Sequence, residues 1–366
     1  MTRIELVNKL ILQHYQLEGT LTALVGDCDL NFLLTTETEQ FTVKLSSHDK
    51  SDLVFEQSML AHLSNKEAAI QLPSIIQNRV DKPVTDIDFE GYQSLRLLSW
   101  VSGDLWVNHS PKSENMRYQL GQKAAQLDLA LSDFEHNDAN KTFQWDLAQC
   151  LWVEAALSVL NQAEQQLVTP FVKRFKNHLS TYKNLRKQII HNDLNDHNIV
   201  VDNASGEANS EAKDAISGFI DFGDAVHTQL INEVAILCAY AATGCAQPLD
   251  AVCEVVAGFH SVYPLDEAEL SHLYQLIAMR AVVSVVKSQQ ARTEQPDNSY
   301  KNVSELAFWQ LIKQCSNIHP DWAEATFRQA CGYDANPEHS KLSQALKTQV
   351  FDLNEMMPTE QTKSQC

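Results

Sequence analysis

The chain has 366 residues, 44% of them hydrophobic and 20% charged, which excludes a largely disordered protein and leaves enough chain to bury one or two sizeable cores. Its 28 Lys and Arg stand against 47 Asp and Glu, and the formal net charge of −19 repels phosphate backbones and anionic lipid heads, so nucleic acid and membranes are not expected as partners. No apolar run approaches the ~18 residues that cross a bilayer.

An amphipathic helix is expected over residues 3–16, its apolar positions interrupted by Glu5, Asn8 and Lys9, a pattern unlike a signal peptide. Two strand-like stretches follow, Asp29–Thr35 and Phe41–Leu45, then a helix over Asp52–Ser64 with Leu53, Met59, Leu60 and Leu63 on one face. Extended segments at Ser74–Gln77 and Gly91–Leu98 bracket VDKPVTDID, which reads as a polar turn region. Beyond the connector Ser99–Asp104 the texture becomes helical, with Leu120, Ala124, Leu127 and Leu131 at four- and three-residue spacing. Trp145–Val168 reads as one long helix stopped by Pro170. Asn203–Asp214 is too polar to pack and reads as an exposed hairpin tip. Val234–Ala246 is too short to span a bilayer and reads as a buried helix. Asp266 and Glu269 form a capping-box pattern, bracketed by Leu265 and Leu270, for a helix reaching about Ala291. The eight cysteines show no C-x-x-C and no zinc-type pairing with histidine, so they read as reduced core thiols of a cytoplasmic protein. The fold class expected is α+β in two lobes: residues 1–98 with a small antiparallel sheet, a hinge at 99–104, a mainly helical lobe at 105–355 and a tail at 356–366.

The chemistry lies in Ile189–Asp202, IIHNDLNDHNIVVD, and in Ile216–Asp224, ISGFIDFGD. Together they fit the kinase pattern H-x-D-L-x-x-x-N followed by D-F-G. Phosphoryl transfer needs a carboxylate to take the proton of the attacking hydroxyl, and Asp193 is placed for that role. It also needs hard oxygen ligands for Mg²⁺, which Asn198, across a tight loop, and Asp221, ending the next strand, supply. A lysine for the phosphates is then required upstream. Lys44, between Val43 and Leu45 in a strand, is the candidate, with Glu56 of the next helix as its ion-pair partner. No G-x-G-x-x-G precedes Lys44, so Gly26 and Asn31 are left as candidates to cap the phosphates.

This set resembles the aminoglycoside phosphotransferase and choline kinase superfamily, the small-molecule branch of the protein-kinase-like fold. Within it the sequence is similar to the hydroxylysine kinase family, through HNDLNDHNIVV, ISGFIDFGDAVHTQLINEVAI, VAGFHSVYPL, RAVVSVVKSQQ and LGQKAAQLDLAL in the same order. No A-P-E follows D-F-G, unlike a protein kinase. Asn192 stands where that family's loop commonly carries glycine, a departure that bears on turn geometry. The resemblance implies Asp193 as base, Asn198 and Asp221 as metal ligands, Lys44 on the phosphates with Glu56 as anchor, and ATP or GTP as donor with Mg²⁺.

The acceptor implied is hydroxylysine, with homoserine, choline, ethanolamine or an aminoglycoside as alternatives, and a nucleotide-binding pseudokinase as the reading without catalysis. Asp196 and Asp224 could face an ammonium or be solvated loop carboxylates. Arg280, in LYQLIAMRAVVSVV, lines up with Ser284 and Lys287 at i, i+4 and i+7, either as a solvated helix face or as a clamp for a substrate carboxylate. Trp100 and Trp106 could border the site or belong to the core, and His191 is expected to brace the loop through hydrogen bonds.

Overall fold

The computed structural model describes residues 2–24, 26, 29–47, 50–66, 70–202, 215–294, 301–341 and 344. Helix α1 (Arg3–Tyr15) begins at Thr2, whose hydroxyl accepts the Glu5 N–H while the Glu5 carboxylate accepts the Thr2 N–H. Two donors at the helix start are thereby satisfied. Val7, Ile11 and Tyr15 form its buried stripe and share a core with Phe32, Val43 and Leu95 of an antiparallel sheet. In that sheet β1 (Thr20–Leu24), β2 (Leu30–Thr35), β3 (Gln40–Ser46), β6 (Tyr92–Ser99) and β4 (Ile75–Ile76) are neighbours in that order, and β5 (Thr85–Phe89) also pairs with β6. Helix α2 (Lys50–Ser64) follows β3 but turns Phe55, Met59, Leu60 and Leu63 into a second, larger core with Leu98, Leu120 and Leu127.

That larger core is built by α3 (Glu114–Leu131), α4 (Trp152–Ala156), α5 (Gln162–Tyr182), α6 (Ile231–Ala242), α7 (Pro248–Val262), α8 (Glu267–Glu294), α9 (Lys301–Ser316) and α10 (Pro320–Ala330). All twelve residues of α6 except Tyr240 are buried, as its continuous apolar run requires. Two small antiparallel sheets sit against the helices: β7 (Asp104–Leu105), β9 (Ile199–Asp202) and β10 (Ala215–Phe219) in one, β8 (Lys187–Ile190) and β11 (Val226–Gln229) in the other. The connector is tied at both ends. The Trp100 N–H donates to Gln40 of β3, and Gly103, at φ 138, lies so close to β9 that a Cβ there would meet the Val201 carbonyl at 2.6 Å.

Three expectations are corrected. Trp145–Val168 is not one helix: 3₁₀ turns and α4 precede a fresh start at Asn161, where Glu164 completes a capping box. Pro170 lies inside α5 and does not end it, at the cost of one ladder bond. The VDKPVTDID turn region carries β5, whose alternating burial marks an edge strand with one polar face, and β1 is a further strand. Asn203–Asp214, expected to be a hairpin tip, lies outside the described residues, though β9 and β10 on either side are paired antiparallel, Asp202 opposite Ala215.

Candidate active site

The segment between β8 and β9 is held from behind before it presents anything to the cleft. His191 is fully buried; its Nε2 is 3.0 Å from the Ile220 carbonyl and its Nδ1 accepts the Asp193 N–H at 3.3 Å. Burial pushes its pKa down to about 4, so the ring is neutral, with the proton on Nε2 as those partners demand. Asn192 adopts φ 65, a left-handed conformation that asparagine tolerates better than most residues. Its N–H donates to Glu233 of α6 at 2.8 Å.

Asp193 is fixed by three side-chain donors. Its Oδ2 accepts from Asn195 Nδ2 and from Asn198 Nδ2, each at 2.8 Å, and its Oδ1 accepts from Arg280 Nη2 at 2.9 Å. Burial raises its pKa to about 6, against the lowering pull of Arg280 and the Asn195 hydrogen bond. Asn198 spends only its nitrogen on Asp193, which leaves its amide oxygen on the opposite side. Its carbonyl accepts the Ile220 N–H at 3.0 Å, joining the loop to the strand end that carries Asp221.

Asp221, half-exposed and at φ 65, accepts from Lys44 Nζ at 2.7 Å, and that lysine holds its carboxyl below the usual carboxylate range. Lys44 is buried, so its charge depends on such partners; Asp29 is a second one at 3.8 Å. The expected direct pair between Lys44 and Glu56 is corrected. Arg96, directly opposite Lys44 in the β3–β6 register, takes the Glu56 carboxylate at 2.5 Å and that of Asp29 at 3.3 Å. A longer fork with more donors, closer to α2, captures Glu56. Gly26 and Asn31 are brought together at the β1–β2 end, where a Cβ on Gly26 would lie 2.4 Å from Asn31 Nδ2.

The remaining candidates divide. Asp224 lies one turn beyond Asp221; burial and the carboxylates of Asp193 and Asp221 raise its pKa to about 7. Asp196 is raised too, chiefly by burial, and its carbonyl accepts the Val107 N–H. Neither is a solvated loop carboxylate. Arg280, at 1% exposure, and Ser284 are buried, so the solvated-face reading of their stripe is also corrected. Trp106 is fully buried in the larger core. Sequence reasoning missed Arg96, Glu233, Trp145 and Tyr240. Arg96 was accessible to the criterion that found Lys44, a charge inside the apolar run SLRLL.

Among the described residues no group of three or more His, Cys, Asp or Glu could hold a metal by itself. One carboxylate and one amide oxygen, Asp221 and Asn198, are hard donors of the kind and number suited to Mg²⁺ whose shell phosphates complete, so the residues present fit that ion.

The sequence model of the phosphotransferase enzyme family matches residues 20–265. The chain is 28% identical over 294 residues to a hydroxylysine kinase of Mus musculus, covering 76% of this chain and 78% of that one. It is 29% identical over 326 residues to a hydroxylysine kinase of Danio rerio, covering 82% and 89%. Among solved structures it is similar to a microcompartment-associated aminopropanol kinase, with TM-score 0.65, 17% identity and coverage of 89% of this chain and 98% of that one. It is also similar to an amicoumacin kinase in complex with AMP-PNP, Ca²⁺ and Ami, with TM-score 0.63, 15% identity and coverage of 86% and 94%. These two likenesses show a common fold, the bilobal protein-kinase-like α+β arrangement.

Proposed function

The chain belongs to the phosphotransferase enzyme family, and on that premise we propose that it transfers the γ-phosphoryl group of ATP or GTP to a hydroxyl of a small amine-bearing acceptor, hydroxylysine first among them. The observation that carries this reading is Asp193, a partly buried carboxylate oriented by three donors next to the Lys44–Asp221 pair. Kinship with hydroxylysine kinases supports the acceptor, and the AMP-PNP complex of a structural neighbour supports a nucleoside triphosphate as donor.

Asp193 takes the hydroxyl proton as the acceptor oxygen bonds to the γ-phosphorus and the bond to the β–γ bridging oxygen breaks, releasing the nucleoside diphosphate. Asn195 and Asn198 hold the carboxylate in the geometry for that transfer. Lys44 contacts the phosphates, with Glu56 bracing it through Arg96; Gly26 and Asn31 lie where a phosphate-covering turn belongs. Asp221 and Asn198 would hold Mg²⁺, which would neutralise charge on the phosphate oxygens when bound. Asp224 and Asp196 offer negative charge to the acceptor's ammonium. In this reading residues 1–98 form the nucleotide lobe, 99–104 the hinge and 105–355 the lobe that carries the catalytic loop and acceptor site. The six cysteines among the described residues are free, which supports a reducing, cytoplasmic setting.

Replacing Asp193 with Asn tests the base. Turnover of hydroxylysine should fall by about 10²–10⁴ while nucleotide affinity, measured by calorimetry, stays within about twofold. Turnover at the wild-type rate removes Asp193 from the mechanism.

A further inference from the structure

Arg280 has more hydrogen-bonding capacity than the protein uses. Its Nη2 reaches Asp193 Oδ1 at 2.9 Å and lies 3.4 Å from the Tyr240 hydroxyl, while Nε and Nη1 are buried and meet no hydrogen-bond acceptor among the described residues. Trp145 and Tyr240, both partly exposed, pack on the guanidinium with ring centroids 4.8 and 5.5 Å from Cζ. Ionised donors taken out of water normally find partners, because desolvation otherwise goes uncompensated. Arg186 of the same lobe illustrates the rule: its Nε and Nη2 engage both oxygens of Glu269, and Nη2 also reaches the Pro264 carbonyl. A counter-ion for Asp193 alone needs only a point charge, which a lysine supplies; a planar fork with donors to spare matches a second carboxylate.

Asp193 indicates where the acceptor lies. Its Oδ2 already accepts two hydrogen bonds and its Oδ1 only one, so Oδ1 has the lone pair available for a hydroxyl proton. The reacting hydroxyl therefore sits beside the guanidinium that shares Oδ1. The acidic groups Asp193, Asp224 and Glu233 all lie within electrostatic reach of this one arginine. An acceptor carrying both an ammonium and a carboxylate can pair each charge there, the ammonium on Asp224 and the carboxylate on Arg280.

Resting on the phosphotransfer reading above, we propose that Arg280 binds the acceptor's carboxylate through its unshared donors, so that the acceptor class is a hydroxy amino acid with a free carboxylate, not a plain amino alcohol or an aminoglycoside.

The test compares 5-hydroxy-L-lysine, its carboxamide and 1,5-diaminopentan-2-ol in nucleotide-consumption assays of the full chain. Wild-type kcat/KM should favour the free acid by at least about 100-fold over both neutralised analogues, as expected when a site built to pair a group rejects its absence. In Arg280→Met all rates fall, because Asp193 loses a partner, but the preference for the acid collapses to within about threefold. Analogues used as well as the acid by the wild type overturn the carboxylate site and leave the kinase reading standing; this arm needs no variant to fold. A preference retained in full by a folded Arg280→Met protein also overturns it, confining the arginine to Asp193. Absence of turnover with all three compounds sinks the phosphotransfer reading for this class, and the carboxylate site with it.

Discussion

Lys44 and Arg96 face each other across the β3–β6 ladder, two buried cations held by Asp29, Glu56 and Asp221. Like charges side by side in a dry sheet repel, and the arrangement stands only because each cation has its own carboxylate close by. Glu56 acts on Lys44 indirectly, by occupying Arg96. Arg96→Met would leave Glu56 as an uncompensated buried charge and should cost about 3–5 kcal/mol of stability, with a rise in the KM for nucleotide as Asp29 shifts toward Lys44. Chemical denaturation alongside nucleotide kinetics checks both effects; an unchanged midpoint would mean that Glu56 reaches water. The spacing of H-x-D-L-x-x-x-N and D-F-G made Asp193, Asn198 and Asp221 legible in the sequence, and Lys44 stood out as a charge inside an apolar strand, where burying it needs a reason. Which carboxylate meets which cation was not legible, because it depends on strand register and on the reach of an arginine against a lysine.

At the scale of elements, α3 and α7 cross at two glycines. A Cβ on Gly121 would lie 2.0 Å from the Val255 carbonyl, and one on Gly258 would lie 2.0 Å from that of Tyr118. Alanine is the better helix former by about 0.8–1 kcal/mol, whereas forcing backbone apart in a packed core costs typically 1–3 kcal/mol. Both carbonyls are backbone and cannot swing aside, so sterics wins and Gly258→Ala should lower Tm; a higher Tm would show that the helices separate freely. Long periodic helices such as α3 were readable from spacing. The run after Trp145 was not, because Asp146 caps a short turn and hydrogen-bonds Thr228, a tertiary contact that interrupts what local propensity would continue. Strands β1 and β5 escaped notice because each buries a single residue, Leu21 and Thr85, and their exposed faces look like turns.

For the whole molecule, buried acids set the pH response. Glu233 is pushed up to about 8 and Asp224 to about 7, each chiefly by burial. Both groups bind protons more tightly in the folded chain than in the unfolded one. Their contribution to stability is therefore full below the unfolded carboxylate range, declines as pH rises, and is lost by about pH 8. Overall self-repulsion at a net charge of −19 acts in the same direction but is screened by salt, whereas the buried term is not. Glu233→Gln keeps an acceptor for the Asn192 N–H and removes the titration. In high salt its Tm should fall less between pH 5.5 and about 8.5 than that of the wild type; parallel slopes would remove Glu233 from the response.

The ladder between β9 and β10 closes on Asp202 opposite Ala215. The registration of Asn198 against Asp221 is set by the paired strands below that point. A peptide handle or reporter domain grafted between them adds only the slowly growing entropy of a longer loop, which makes this junction a port for labelling the enzyme close to its chemistry without touching it.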